Sequence, residues 1–155
     1  MDANTFHHIS GKGMKFGIVR ARFNEEITGG MLASCEKTLR DAGAETIDVA
    51  IVPGSVEIPY ALQEMGKRGG YDALIALGCI IKGGTPHFDL ISKMAHDGLL
   101  RLSLDLRLPV IAGVITCLDR EQALERSGDG PLNRGVECAH AALEMAQLRK
   151  EKGWK

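Results

Sequence analysis

The residues best suited to chemistry fall in one short stretch, Lys82-Gly83-Gly84-Thr85-Pro86-His87. A glycine-rich loop ahead of a helix turns backbone N–H groups outward, and the helix dipole favours an anion there. Thr85 adds a hydroxyl. His87 adds an imidazole, the side chain type that exchanges protons around neutral pH. No Gly-Lys-Ser/Thr follows the glycines and no G-x-G-x-x-G is present, so the loop suits a small phosphate better than a nucleotide. A plain turn is the competing reading. Lys82, Arg126 and Arg134 either add positive charge to such a site or stand solvated. Two other stretches carry polar or aromatic groups next to strand ends. Phe23-Asn24 either stacks on a ligand or plugs the edge of the core. In Ser55-Val56-Glu57, the carboxylate either answers a helix dipole or hydrogen-bonds a ligand together with Ser55. Cys79 and Cys117 also lie near strand ends. Their apolar neighbours favour inert thiols over nucleophiles. No set of histidines and carboxylates has metal-ligand spacing.

The elements that must position these residues alternate. Apolar runs predict strands over 15–21, 46–52, 73–81 and 109–116. Asn24 is the expected N-cap of a helix starting near Glu25, with Met31, Cys35, Leu39 and Ala42 at helical spacing and Gly43 ending it. A turn over 53–59 leads into a helix carrying Ala61, Leu62 and Met65, with Pro59 in its first turn. A long helix over 88–106 buries Ile91, Ala95, Leu99, Leu102 and Leu106, and its opposite face holds His96 as a surface or subunit-contact residue. Asp119 opens a short helix over 120–126, and Asn133 caps a last helix that buries Val136, Ala139, Leu143 and Ala146. Strand and helix alternation implies a parallel sheet covered on both faces. The loops after its four strands hold Phe23-Asn24, Ser55–Glu57, the glycine loop and Thr116. They are expected to open on one edge of the sheet, where ligands dock in such folds.

The 155 residues fit one domain over 15–155, with 1–14 as a polar tail that is either loose or paired with a neighbour's sheet edge. The composition, 45% apolar and 25% charged, is that of a soluble globular chain. A formal net charge of −1 speaks against nucleic-acid binding. The four cysteines form no C-x-x-C pair, and no apolar stretch suits a secretion signal or a bilayer span. The expectation is a cytoplasmic protein with reduced thiols.

Several segments together resemble the 6,7-dimethyl-8-ribityllumazine synthase family. They are Arg22-Phe23-Asn24, VPGSVEIP from Val52, GCIIKGGTPHFD from Gly78, PVIAGVIT from Pro109, EQALER from Glu121 and Asn133-Arg134-Gly135. The resemblance runs in order from Met14 to Leu148. It implies a flavodoxin-like three-layer α/β/α sandwich around a four-stranded parallel sheet. It implies a transferase of riboflavin biosynthesis that joins 5-amino-6-(D-ribitylamino)uracil to 3,4-dihydroxy-2-butanone 4-phosphate, without metal or organic cofactor. Its members form homopentamers with sites between subunits, some close twelve pentamers into icosahedral sixty-subunit shells, and a partnership with riboflavin synthase is open.

By this resemblance Phe23 stacks on the pyrimidine and Asn24 borders it. Ser55, Val56 and Glu57 hold the pyrimidine and ribityl chain, and Cys79, Ile80 and Ile81 lie beside the ring. Gly84 and Thr85 bind phosphate, His87 transfers protons, and Arg126 reaches the phosphate from the neighbouring subunit. Arg134 stands where many members have lysine. Val56 replaces a common phenylalanine, and Ala112 falls where many members place a ring against the pyrimidine. Two other readings compete: a flavin or pyrimidine binder without turnover, and a protein whose main role is its shell. Arg126 and His87 favour the enzyme, because a ring binder needs neither.

Overall fold

A computed structural model describes residues 6–155; the first five residues of the expected tail lie outside the described residues. Four strands, β1 (Lys15–Ala21), β2 (Thr46–Val52), β3 (Ala73–Ile81) and β4 (Val110–Cys117), form one sheet in the order β2-β1-β3-β4, all parallel. This is the flavodoxin-like order without a fifth strand, and its direction reverses between β1 and β3. The helices are α1 (Glu25–Asp41), α2 (Ile58–Arg68), α3 (His87–Leu106), α4 (Arg120–Glu125) and α5 (Arg134–Lys152). The last strand sits one residue later than its apolar run suggested.

The burial pattern follows from the layering. Ala73–Ile80 on β3 is buried throughout, as a central parallel strand covered on both faces must be. Edge strand β2 leaves Asp48, Val49 and Ile51 exposed. One core, with Phe16, Ile18, Met31, Leu39, Ile75 and Leu143, fills the space between the sheet and the α1/α5 layer. The other, with Val19, Leu62, Leu74, Ala95 and Leu99, lies under α2 and α3. These layers and the sheet make a three-layer α/β/α sandwich.

Two local devices fix α5. Asn133 is buried; its side-chain oxygen accepts from Val136 N at 3.1 Å, and its Nδ2 donates to Ser34 Oγ and Gly128 O. Gly135 lets α5 touch α1, since a Cβ there would lie 2.0 Å from Met31 O. The described part of the N-terminal segment lies on the chain's own surface. Lys12 bridges to Ala44, Gly11 N donates to Ala42 O at 2.7 Å, and His7 N donates to Glu144 Oε1 at 2.7 Å. His96 is half-buried rather than a free surface group. Its ring nitrogens lie 2.7 Å from Ser92 O and 3.0 Å from Val114 O, linking α3 to β4.

Candidate functional site

A cavity of about 430 Å³ opens where the strand order reverses, at the carboxyl ends of β1, β2 and β3. Its wall from β1 is Phe23. Arg22 N donates to Val52 O at 2.7 Å and Phe23 N to Pro53 O at 3.0 Å, which ties this turn to the end of β2. The ring is 72% exposed, so Phe23 is not a plug of the core edge. Asn24 lies outside the cavity lining and is left-handed, φ 58° and ψ 50°. It occupies the N-cap position of α1, but its side chain does not cap the helix. Its Nδ2 instead donates to Cys79 O at 3.0 Å, on the other flank of the turn. Asparagine tolerates the left-handed region better than most residues.

Beneath the turn, Arg20 is only 6% exposed and donates to Thr28 Oγ1 at 3.2 Å. Thr28 Oγ1 in turn donates to Ala21 O at 2.7 Å. Both bonds hold the start of α1 against β1.

The second wall is a 3₁₀ turn, Ser55–Glu57, leading into α2. Gly78 makes room for it: a Cβ there would come within 2.5 Å of Ser55 Oγ. Glu57 is exposed and caps no backbone N–H of α2, so its carboxylate is available at the cavity. Val56 lines the same wall. Cys79, Ile80 and Ile81 form the floor. Burial above all, and the neighbouring Cys117, push the Cys79 thiol up to about 12, against a weaker opposing effect of Arg120. Burial likewise raises Cys117. Such thiols are poor nucleophiles.

The third wall joins Gly83, Thr85 and His87, with Phe88 next to His87 and Ile91 one turn along α3. Gly84 sits between two lining residues, and a Cβ at Gly83 or Gly84 would meet nothing within 4 Å. Neither glycine is demanded by packing within the chain, and both leave backbone N–H groups open. Sequence reasoning misses Phe88 and Ile91 as site residues; Ile91 lies at i+4 from His87 and i+3 from Phe88 on the helix, and that spacing is the signal that finds them. Pro53 and Gly54 also line the cavity and carry no such signal.

The remaining candidates lie elsewhere. Ala112, on edge strand β4, lines a separate groove of about 120 Å³ with Arg134. Arg134 pairs with Glu137 along α5. Arg126 ends α4; its Nη1 donates to Gln122 O at 2.9 Å, and its carbonyl accepts from Arg134 N at 2.8 Å. Neither Arg126 nor Thr116 lines the cavity. The chain therefore gathers Phe23, Ser55–Glu57, Cys79–Ile81, Thr85 and His87 in one place, while Ala112 and Arg134 line the separate groove and Arg126 lines neither. Among the described residues there is no group of three or more histidine, cysteine or acidic side chains placed to hold a metal, and no helix long and apolar enough to cross a membrane.

Residues 13–150 match the family model described as 6,7-dimethyl-8-ribityllumazine synthase. A protein of that name from Azoarcus sp. (strain BH72) is 45% identical over 144 residues, covering 92% of this chain and 90% of the relative. One from Acidovorax sp. (strain JS42) is 43% identical over 152 residues, covering 97% and 96%. Among solved structures, an NADP-bound GDP-L-fucose synthetase from Naegleria fowleri is 13% identical with a TM-score of 0.43, covering 99% of this chain and 52% of that one. That likeness is too loose to bear on fold or function. The sequence matches, spanning nearly the whole chain, decide the matter: the chain belongs to the 6,7-dimethyl-8-ribityllumazine synthase family.

Proposed function

We propose that the chain catalyses the condensation of 5-amino-6-(D-ribitylamino)uracil with 3,4-dihydroxy-2-butanone 4-phosphate to 6,7-dimethyl-8-ribityllumazine, as a transferase of riboflavin biosynthesis. Family membership sets the reaction. The observation that carries the reading to this site is the single cavity shared by Phe23, Ser55–Glu57, Thr85 and His87. An exposed ring, a free carboxylate and hydroxyls suit a polar aromatic ring with a polyol chain. An open glycine loop at a helix N-terminus suits the phosphate.

In this reading Phe23 stacks on the pyrimidine, and Asn24 holds the turn that carries Phe23. Ser55, Val56 and Glu57 hold the pyrimidine and ribityl chain, and Cys79, Ile80 and Ile81 border the ring. Gly84 and Thr85 receive the phosphate. The pyrimidine's amine attacks the ketone carbon and a water leaves. A proton is then lost from carbon, and the C–O bond to phosphate breaks. The enol left behind takes a proton on its terminal carbon and becomes a ketone, and the ribitylamino nitrogen closes the ring on that new carbonyl with loss of a further water. The steps move protons, and in this reading His87 carries them, which its position on the cavity wall beside the phosphate loop supports. No step calls for a metal or organic cofactor. Holding both substrates in register contributes up to about 7–11 kcal/mol in favourable cases.

The separation of Ala112, Arg126 and Arg134 from the cavity supports a site completed by a second copy. We place these three residues at the seam with the adjoining subunit of a homopentamer, where both arginines face the phosphate. The test is to incubate the protein with both substrates while following lumazine fluorescence and free phosphate. Equal release of the two products is expected. Binding of the pyrimidine without either product would make the chain a ring-binding module and contradict the reading. Light scattering on the same sample measures the assembly.

A further inference from the structure

Phe6 is the one aromatic residue of the Ala112 groove, beside Ile111, Ala112 and the Arg134–Glu137 pair, and no site assignment includes it. The ring is seated rather than dangling. It stacks on His140 with centroids 5.6 Å apart and planes 19° apart, and the next peptide donates from His7 N to Glu144 Oε1 at 2.7 Å. Phe6 remains half-buried, with one face on His140 and part of the ring open to the groove.

The four phenylalanines of the chain divide accordingly. Phe16 is fully buried, Phe23 and Phe88 line the cavity, and Phe6 lines the groove. Edge strand β4 offers only the small, exposed Ala112 at this point. The groove thus combines a small floor, one aromatic ring and an Arg134 guanidinium that is already paired by Glu137 on the same wall. A flat ring beside a small edge-strand residue suits a planar heterocycle.

We propose that Phe6 is a further binding residue of the enzyme, supplying an aromatic wall that packs against the pyrimidine held in the cavity of the adjoining subunit. The inference rests on the shared-seam reading given above. It assigns the N-terminal segment a part in substrate specificity. A hydrocarbon ring discriminates for the heterocycle and offers nothing to the butanone phosphate, so the two substrates respond differently to its loss.

The test uses full-length Phe6→Ala, Phe6→Leu and Phe6→Trp. Pyrimidine affinity is measured by direct fluorescence titration and by KM, alongside KM for the butanone phosphate and sedimentation for assembly. Phe6→Ala is expected to weaken pyrimidine binding roughly 10-fold and leave the phosphate substrate's KM unchanged, the size expected for a lost aromatic contact with some apolar area. Phe6→Trp keeps the affinity within about 2-fold, and Phe6→Leu falls with alanine. Unchanged pyrimidine affinity in Phe6→Ala overturns the assignment. So does full rescue by leucine, or a loss confined to assembly. Wild-type protein that binds the pyrimidine but gives no product contradicts the proposed reaction instead, and the titration still reads Phe6 on its own.

Discussion

Replacing Asn24 by alanine removes two independent supports of the Phe23 turn. The first is the bond from Nδ2 to Cys79 O, 3.0 Å long and partly buried. Such a bond contributes about 0.5–1.5 kcal/mol net, and more when its partner is left dry. The second is tolerance of the left-handed backbone, φ 58°, which costs an ordinary side chain about 1–2 kcal/mol. The usual loss of an N-cap does not enter, because this side chain makes no cap bond. Asn24→Ala should therefore cost about 2–3 kcal/mol, and Asn24→Gly, which relieves the backbone, about 1 kcal/mol. Urea unfolding at one fixed protein concentration measures both, since assembly of the proposed oligomer would couple to stability. Because the turn carries Phe23, KM for the pyrimidine should rise in the alanine variant while KM for the phosphate substrate holds. Equal midpoints for alanine and glycine would refute the backbone argument, and two wild-type midpoints would refute the tie to β3 as well.

Arg126→Ala should raise KM for the butanone phosphate by roughly 10- to 150-fold, the equivalent of one lost charge-assisted bond at about 1.5–3 kcal/mol. Arg126→Lys should recover part of this without the forked geometry; steady-state kinetics with each substrate varied separately decides, and an unchanged phosphate KM removes Arg126 from the site. Burial first, then the nearby His8, lower the His140 pKa from its ordinary 6.5, with Glu144 opposing. A folded-state value below the unfolded one means that the docked state is favoured above about 6.5 and loses support as pH falls through the lower value. Hydrogen exchange over residues 6–12, corrected for intrinsic rates, should therefore quicken on acidification, and a His140→Gln variant should lose that dependence. With its thiol at about 12, Cys79 should carry roughly 10³-fold less thiolate than an ordinary cysteine near neutral pH. Mass spectrometry should find it alkylated only on unfolding, and labelling at a free-thiol rate would contradict the burial argument.

The parallel sheet was legible because the central strand is continuously apolar, and the α5 cap because Asn133 bonds within its own turn. Asn24 was misread in part because its partner, Cys79 O, lies 55 residues away, beyond any local capping pattern. His96 was placed on the open face of α3 by helical spacing alone; its second contact comes from β4, which that spacing does not see. Strand alternation sent all four loops to one sheet edge. It did not show that β4, two strands from β1 in the order, stands beyond the cavity. Strands are about 4.8 Å apart, so its loop starts about 10 Å from Phe23's strand. Phe6 gave no sign of its groove, since a lone ring in a polar segment has no period to read.

The claim that one subunit's cavity works only against another subunit's arginines has a direct test. His87→Ala and Arg126→Ala, each made alone, should be severely impaired when assembled from identical subunits. Unfolded together in equal amounts and reassembled, they should regain activity. Roughly one seam in four then joins an intact cavity to an intact arginine face, so about a quarter of wild-type turnover should return in mixed assemblies. Turnover no higher in the mixture than in the separate variants, with mixed assembly verified by mass spectrometry, would contradict a site shared between subunits.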